Sequence, residues 1–254
     1  MKNLQGKTIL VCGGATGIGA ETARYLCRAG AQTVIGDINI EGANALVDEL
    51  CSSGADARAH RYDQADEASI NALVETTISA CGQLDGLFAN VADLQIIYQD
   101  GDILTNDIEI WERTLKVNVT GTALLIRAVL PQMLAQGSGS MVLTSSGAST
   151  MGEGERPAYA VSKAGINALC RHVASAWGKK NIRCNAVAPG FVITEQIQSN
   201  MDQSMLDRML KQSSSARHGI PADIASAVAF LLSDESEWVN GQTWHVNGGA
   251  VFAN

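Results

Sequence analysis

Several features that mark other protein classes are scarce or missing in this chain of 254 residues. It has only four prolines and 5% aromatic residues, and its longest apolar stretch, residues 123–134, is broken by Arg127, Pro131 and Gln132. Because a transmembrane helix needs about 20 consecutive apolar residues, we expect no membrane span. The amino-terminal run Thr8–Cys12 is too short for the core of a signal peptide, so we expect a cytoplasmic protein.

Basic residues are also few. The 18 Lys and Arg stand against 26 Asp and Glu, which gives a net charge of −8. A chain with this charge and no Lys/Arg cluster repels phosphate backbones, so nucleic acid is not an expected partner. The six cysteines form no CxxC pair and no Cys/His cluster at zinc spacing, which predicts reduced thiols and no metal site. The 46% hydrophobic content is that of a globular protein with a substantial core.

Short β-rich runs alternate with helical periods along almost the whole sequence. This alternation predicts an α/β fold, with a doubly wound parallel sheet of about seven strands and helices on both faces. With no linker or repeat in view, we expect one domain over residues 1–254. Residues 194–219 depart from the rhythm, because they are polar and rich in Met and Gln. We interpret them as a substrate lid, with a plain surface helix as the alternative.

A glycine-rich turn follows the first predicted strand and opens the first predicted helix. Glycines at such a turn let a pyrophosphate approach the backbone, and the N–H groups of the helix N-terminus attract its phosphates. The predicted cofactor-binding residues of this turn are Gly13, Thr16, Gly17, Ile18 and Gly19. Asp37 ends the second strand, 18 residues after Gly19, where a carboxylate can accept hydrogen bonds from the adenosine ribose. Because that carboxylate would repel a 2′-phosphate and no basic residue stands beside it, NAD is favoured over NADP.

Tyr159 and Lys163 lie four residues apart and share one face of a predicted helix. A tyrosine with its ordinary pKa near 10 is a poor base, and a nearby ammonium would lower the pKa of the phenol. Such a pair alone is common on helix surfaces. Ser146, however, stands thirteen residues before Tyr159 at the end of a predicted strand. The carboxyl edge of a parallel sheet is where ligands of open α/β folds bind.

Taken together, these motifs resemble the short-chain dehydrogenase/reductase family in its single-domain form, over essentially the whole chain. The resemblance implies a Rossmann-type fold and an oxidoreductase that interconverts a secondary alcohol and a ketone with NAD. The implied catalytic residues are Asn118, Ser146, Tyr159 and Lys163. The implied cofactor-binding residues beyond the glycine turn and Asp37 are Asp63, Asn90, Tyr159, Lys163, Pro189, Ile193 and Thr194.

The resemblance also implies a role for each catalytic residue. Tyr159 is the general acid/base, Ser146 binds the substrate oxygen, and Lys163 holds the nicotinamide ribose and lowers the Tyr159 pKa. Asn118 would hold a water that links Lys163 to solvent. The family also pairs helices between subunits, so a homotetramer or homodimer is expected.

The sequence departs from the family pattern at two places. Cys12 replaces a threonine of the glycine turn, and Val91 and Ala92 replace smaller residues after the fourth strand. These changes bear on cofactor affinity and on hydrogen bonding at the sheet edge. Two other functions stay open: an NADPH-linked ketone or 3-oxoacyl reductase, and a dinucleotide-binding regulator without turnover. The substrate itself is a small-molecule alcohol or ketone that the sequence does not specify.

Overall fold

The computed structural model describes residues 4–252. Within that range the chain forms one sheet of seven strands, namely β1 (Thr8–Cys12), β2 (Gln32–Asp37), β3 (Ala57–Arg61), β4 (Gly86–Ala89), β5 (Gly139–Thr144), β6 (Ile182–Pro189) and β7 (Thr243–Val246). All strands are parallel, in the order β3-β2-β1-β4-β5-β6-β7. The predicted doubly wound parallel sheet is confirmed.

The helices of the described residues alternate with these strands. They are α1 (Gly17–Arg28), α2 (Ile40–Ser52), α3 (Glu67–Cys81), α4 (Ile108–Leu115), α5 (Thr122–Gln136), α6 (Pro157–Trp177), α7 (Glu195–Asn200), α8 (Gln203–Lys211) and α9 (Pro221–Leu232). Residues from α3, α5 and α6 pack on one face of the sheet, and residues from α1, α2 and α9 pack on the other. Leu10 faces the first cluster and Val11 the second, so β1 is buried on both sides.

The helical run Ile108–Gln136 is long and apolar enough to cross a membrane by length and composition alone. A core helix of a globular protein passes the same test, and half of the most apolar window of this run is buried in the fold. Leu125, Val129 and Met133 are fully buried within the main core cluster. These contacts explain the apolar sequence as core packing.

The strand order places the functional crevice. The chain turns from β1 to β2 on one side and from β4 to β5 on the other, so the connections diverge above the neighbouring strands β1 and β4. Ligands of open α/β sheets bind at the carboxyl ends of the strands where the connections diverge. The loops that follow the seven strands all lie at this edge, and several of the predicted site residues lie in them or beside them.

Candidate active site

The loop between β1 and α1 is a turn that requires glycine. The backbone φ is +77° at Gly13 and +56° at Gly17, in the left-handed region that favours glycine. A Cβ at Gly19 would lie 1.9 Å from the Gly13 carbonyl oxygen, so the turn and the helix start meet backbone to backbone. Thr16 is the N-cap residue of α1, and Ile18 lies in its first turn. This arrangement is a cradle into which a pyrophosphate fits.

Two carboxylates stand at the carboxyl ends of β2 and β3, at the same edge of the sheet: Asp37 is the last residue of β2, and Asp63 comes shortly after β3. Asp37 Oδ2 accepts the Ala15 N–H of the glycine turn at 2.9 Å, and its Oδ1 accepts the Asn39 N–H at 2.9 Å. Asp63 Oδ1 accepts the Ala65 N–H at 2.9 Å. Each carboxylate braces a loop around the crevice and keeps further lone pairs for a ligand. The bond to Ala15 gives Asp37 a structural role that the sequence did not indicate.

Asn90 joins two strand ends across the crevice. Its Nδ2 donates to the Gly13 carbonyl at 3.0 Å, and its Oδ1 accepts the Thr144 hydroxyl at 3.1 Å. The next residue, Val91, places Cγ2 2.9 Å from the position of a Cβ on Gly13. The backbone N–H of Asn90 also bonds the Cys12 carbonyl at 3.0 Å. The departures at Cys12 and Val91 therefore leave the hydrogen bonds of this edge in place and change the shape of the wall beside the turn.

Ser146, Tyr159 and Lys163 meet where β5 ends. Ser146 begins the turn after β5, and the other two residues lie one helical turn apart in α6. The Lys163 Nζ lies 5.6 Å from the centre of the Tyr159 ring and donates to the Thr144 carbonyl at 2.8 Å. Lys163 is 2% exposed, so its ammonium is buried. The structure thus brings together the three side chains that the sequence predicted as the reactive group.

Burial is the largest influence on the pKa values of Tyr159 and Lys163. It raises the pKa of the Tyr159 phenol above the ordinary value of 10.0, whereas Ser146 and Arg156 lower that pKa and Glu153 raises it. Burial also lowers the pKa of Lys163 to about 8. Burial sets the net direction of the Tyr159 pKa, and the lowering effect of Lys163 stays a prediction. The ammonium is directed at a backbone carbonyl, and the loss of hydration at the phenol outweighs the other influences.

Asn118 lies in the π-helical segment Lys116–Gly121 between α4 and α5, and it is 1% exposed. Its Oδ1 accepts the Asp93 N–H at 3.0 Å, and its Nδ2 donates to the Ser162 hydroxyl at 3.0 Å. Ser162 donates in turn to the Tyr159 carbonyl at 2.7 Å. The Asn118 side chain therefore ties the loop after β4 to the helix of Tyr159. Its backbone carbonyl accepts the Thr122 hydroxyl at 2.7 Å. The predicted contact of Asn118 with a water stays a prediction.

The segment after β6 passes beside the glycine turn. Pro189 ends β6, and the Ile193 N–H donates to the Gly219 carbonyl at 2.9 Å. Thr194 caps α7, and its Cγ2 lies 3.1 Å from the position of a Cβ on Gly17. The predicted nicotinamide segment and the predicted phosphate turn are therefore in contact.

The predicted lid, residues 194–219, contains α7 and α8. A parallel bridge between Val192 and Gly219 holds the two ends of the segment together. Above this base the packing is loose: Met205 is 40% exposed, and none of the described residues of α8 is buried. Its closure over a substrate stays a prediction.

Two residues at this site were missed by the sequence reasoning. Ser162 stands between Tyr159 and Lys163, and its place inside that motif was a usable signal. Asp100 is 3% exposed, and its Oδ2 accepts the Tyr159 N–H at 2.8 Å. No motif marks Asp100, because its partner stands 59 residues later in the chain. Within residues 4–252 no group of three or more His, Cys, Asp or Glu side chains is placed to hold a metal ion.

Comparison with known proteins gives matches along almost the whole chain. The sequence model of a family described as enoyl-(acyl carrier protein) reductase matches residues 13–251. A 7α-hydroxysteroid dehydrogenase of Bacteroides fragilis is 34% identical over 254 residues, which are 100% of this chain and 98% of that protein. A D-threitol dehydrogenase of Mycolicibacterium smegmatis is 34% identical over 249 residues, which are 97% of this chain and 93% of that protein.

A solved structure agrees with these matches. A 7α-hydroxysteroid dehydrogenase complexed with NADH and 7-oxo glycochenodeoxycholic acid has a TM-score of 0.92 to this chain at 34% identity. The similarity covers 98% of this chain and 96% of that one. The predicted fold, oxidoreductase class and NAD cofactor are confirmed by these relatives. The matches cover almost the whole chain, including the glycine turn and the Ser-Tyr-Lys group, and the chain belongs to the short-chain dehydrogenase/reductase family.

Proposed function

We propose that this protein oxidises a secondary alcohol to a ketone with NAD, and catalyses the reverse reduction, at the crevice above β1, β4 and β5. One observation carries the proposal. The Tyr159 ring lies against the buried Lys163 ammonium and beside Ser146, at the sheet edge that also holds the glycine turn. This arrangement supports the proposal, because hydride transfer from an alcohol requires a proton-transfer group next to the bound dinucleotide.

The residues of the crevice fit a dinucleotide. The glycine turn and the N-terminus of α1 would hold the pyrophosphate, and Asp37 and Asp63 would hold the adenosine end. Pro189, Ile193 and Thr194 would hold the nicotinamide end, since their segment contacts the turn. When bound, NAD accepts the hydride from the carbinol carbon. The Asp37 carboxylate favours NAD, because it would repel the 2′-phosphate of NADP.

The protein's own groups handle the proton. The phenolate form of Tyr159 takes the hydroxyl proton of the alcohol as the carbon–oxygen double bond forms, and the phenol, which is the form that burial favours, returns that proton in the reduction. Ser146 donates a hydrogen bond to the same substrate oxygen and stabilises its partial charge. Because the pKa of Lys163 is about 8, both of its forms are accessible near neutral pH. The neutral amine would accept the proton that Tyr159 has taken up in the oxidation, and the ammonium would supply a proton for the reduction.

The relatives indicate the substrate class. Two of them are named for a hydroxysteroid and one for a four-carbon polyol, so we propose a secondary hydroxyl on a small hydroxylated molecule. A 3-oxoacyl reductase would draw on NADPH, which Asp37 disfavours. A regulator without turnover would not need the proton-transfer pair of Tyr159 and Lys163 beside the dinucleotide cradle. We also propose that the enzyme is a cytoplasmic homotetramer or homodimer, as the family resemblance implies.

Replacement of one oxygen atom tests this function. Tyr159→Phe keeps the ring but cannot transfer a proton, so NADH formation from a panel of hydroxysteroids and polyols should fall by about 10²- to 10⁴-fold. NAD binding, measured by quenching of tryptophan fluorescence, should change less than about twofold. Tyr25→Phe, on α1 away from β5, is the matched control and should keep full activity. A Tyr159→Phe enzyme with more than about a tenth of the native rate would refute the assignment.

A further inference from the structure

The loop between β4 and α4 holds a buried acid that makes contact with the helix of the reactive tyrosine. We propose that this acid, Asp100, is a positioning residue that holds Tyr159 in its reactive place by capping α6 from outside the helix. The inference rests on the proposed role of Tyr159. It adds a residue that neither the motifs of the sequence nor the chemistry of the reaction would indicate.

The start of α6 cannot cap itself. Its N-cap residue, Arg156, has φ +65° and ψ +45°, a left-handed conformation that is uncommon for a residue with a side chain. Helices usually begin at Ser, Thr, Asp or Asn, whose side-chain oxygen accepts an N–H of the first turn. An arginine side chain has only donors, and Pro157 at the first helical position has no N–H. The N–H groups that need acceptors are therefore those of Ala158 and Tyr159.

Asp100 supplies the acceptors for both. Its Oδ2 accepts the Tyr159 N–H at 2.8 Å, and its Oδ1 accepts the Ala158 N–H at 3.3 Å. Its backbone carbonyl accepts the Arg156 N–H at 3.1 Å. Three donors around the helix start are thus bound to one residue of a distant loop. A carboxylate at a helix N-terminus is further stabilised by the helix dipole, and this one is 3% exposed, so water competes little for it.

This cap acts on the reactive group directly, because Tyr159 itself donates the shortest of the three bonds. On the other side, the Tyr159 carbonyl accepts the Ser162 hydroxyl at 2.7 Å. The main chain of Tyr159 is therefore held at its N–H and at its carbonyl by two groups outside the normal helix pattern. Asn106 donates its amide to Oδ1 of Asp100 and fixes the orientation of the carboxylate. A displacement of about 1 Å at a reacting group can lower a rate by about 10²-fold.

A double-mutant cycle separates positioning from general stability. Asp100→Asn keeps one acceptor oxygen but loses the second, and it should lower kcat by about 10- to 100-fold with the affinity for NAD unchanged within about twofold. In the Tyr159→Phe background the phenol oxygen is gone, so the same Asp100→Asn change should alter the residual rate by less than about threefold. A purely structural role would give the same fold loss in both backgrounds.

The control removes a comparable cap elsewhere. Asp66 caps α3 by accepting the Ala68 N–H at 3.0 Å, a bond to α3 and not to the helix of Tyr159. Asp66→Asn should lower the Tm as Asp100→Asn does but leave kcat unchanged. Equal loss of kcat in both variants, a loss that persists unchanged with Phe at position 159, or no loss at all would overturn the proposal.

A second variant tests the proposal if Asp100→Asn does not accumulate as folded protein. Asn106→Ala removes the amide that orients the Asp100 carboxylate. It should lower kcat by a smaller factor than the loss of about 10- to 100-fold expected for Asp100→Asn, and in the Tyr159→Phe background it should have little effect. If Tyr159→Phe itself kept native activity, the proposed function would fail. If Tyr159→Phe lost activity but the cycle were additive, only the positioning role of Asp100 would fail.

Discussion

Lys163 should destabilise the cofactor-free protein at neutral pH, and its removal should therefore stabilise the fold while it abolishes activity. The side chain is 2% exposed, and burial lowers its pKa from the ordinary 10.5 to about 8. A lowered lysine pKa means that the native state disfavours the ammonium relative to the unfolded chain. This cost is fully present below pH 8 and disappears as the pH rises above 10.5.

The size of the effect follows from the difference between the ordinary lysine pKa of 10.5 and the value of about 8 in the folded protein. At 1.36 kcal/mol for each pKa unit, the buried charge costs about 3 kcal/mol at pH 7. Lys163→Met fills similar space and removes that charge, but it also removes the charged hydrogen bond to the Thr144 carbonyl, which is worth about 2 kcal/mol. The variant should therefore gain about 1 kcal/mol in free energy of unfolding at pH 7, and between pH 7 and 10 the difference from the native protein should fall by about 2.5 kcal/mol.

Urea unfolding at pH 7, 8.5 and 10, followed by tryptophan fluorescence at one fixed protein concentration, measures this difference. Lys180→Met, which removes an exposed ammonium at the end of α6, is the matched control and should show no gain that varies with pH. A Lys163→Met protein that is less stable than the native one at pH 7, or whose difference from it is the same at all three pH values, would refute the reasoning.

Three further results are expected. Asp37→Ser should narrow the preference for NAD over NADP by about tenfold or more, because it removes a charge that repels the 2′-phosphate. The same variant should weaken NAD binding, because the hydrogen bond from Asp37 to the glycine turn is lost. Equal use of both cofactors by the native enzyme would contradict this. Gly19→Ala should weaken NAD binding and destabilise the fold by about 1–3 kcal/mol, since its Cβ would overlap the Gly13 carbonyl. If the dissociation constant of NAD and the Tm were unchanged, this prediction would be wrong. Hydrogen exchange in residues 194–219 should slow when NAD is added, and Met205→Ala or Met209→Ala should change which alcohols are accepted without a change in NAD affinity; exchange and selectivity that stay the same would make the segment a plain surface element.

Much of the fold was predictable because its signals are local. The period of apolar residues distinguishes strands from helices within short windows, and the predicted first helix, residues 17–28, agrees with α1. The glycine turn was predictable for the same reason. Left-handed φ values and contacts between backbone atoms exclude a Cβ, and that requirement is visible in the sequence as glycine at Gly13, Gly17 and Gly19.

The reactive group was predictable only in part. The spacing of Tyr159 and Lys163 places them on one face of a helix, and the structure has them there. The net direction of the Tyr159 pKa could not be predicted from the sequence, because it depends on how much of the phenol is dehydrated and on where the Lys163 ammonium points. Both quantities come from the packing of α6 against the end of β5.

The sequence by itself determined the order of strands and helices along the chain, the glycine turn and the residue types of the reactive group. The tertiary structure alone decided which distant groups complete them. Asp100 caps α6 across 59 positions of the chain, and Asp37 bonds the turn across 22. Such contacts leave no periodicity in the sequence, because a hydrogen bond constrains distance in space, and only the finished sheet sets which loops lie within 3 Å of each other.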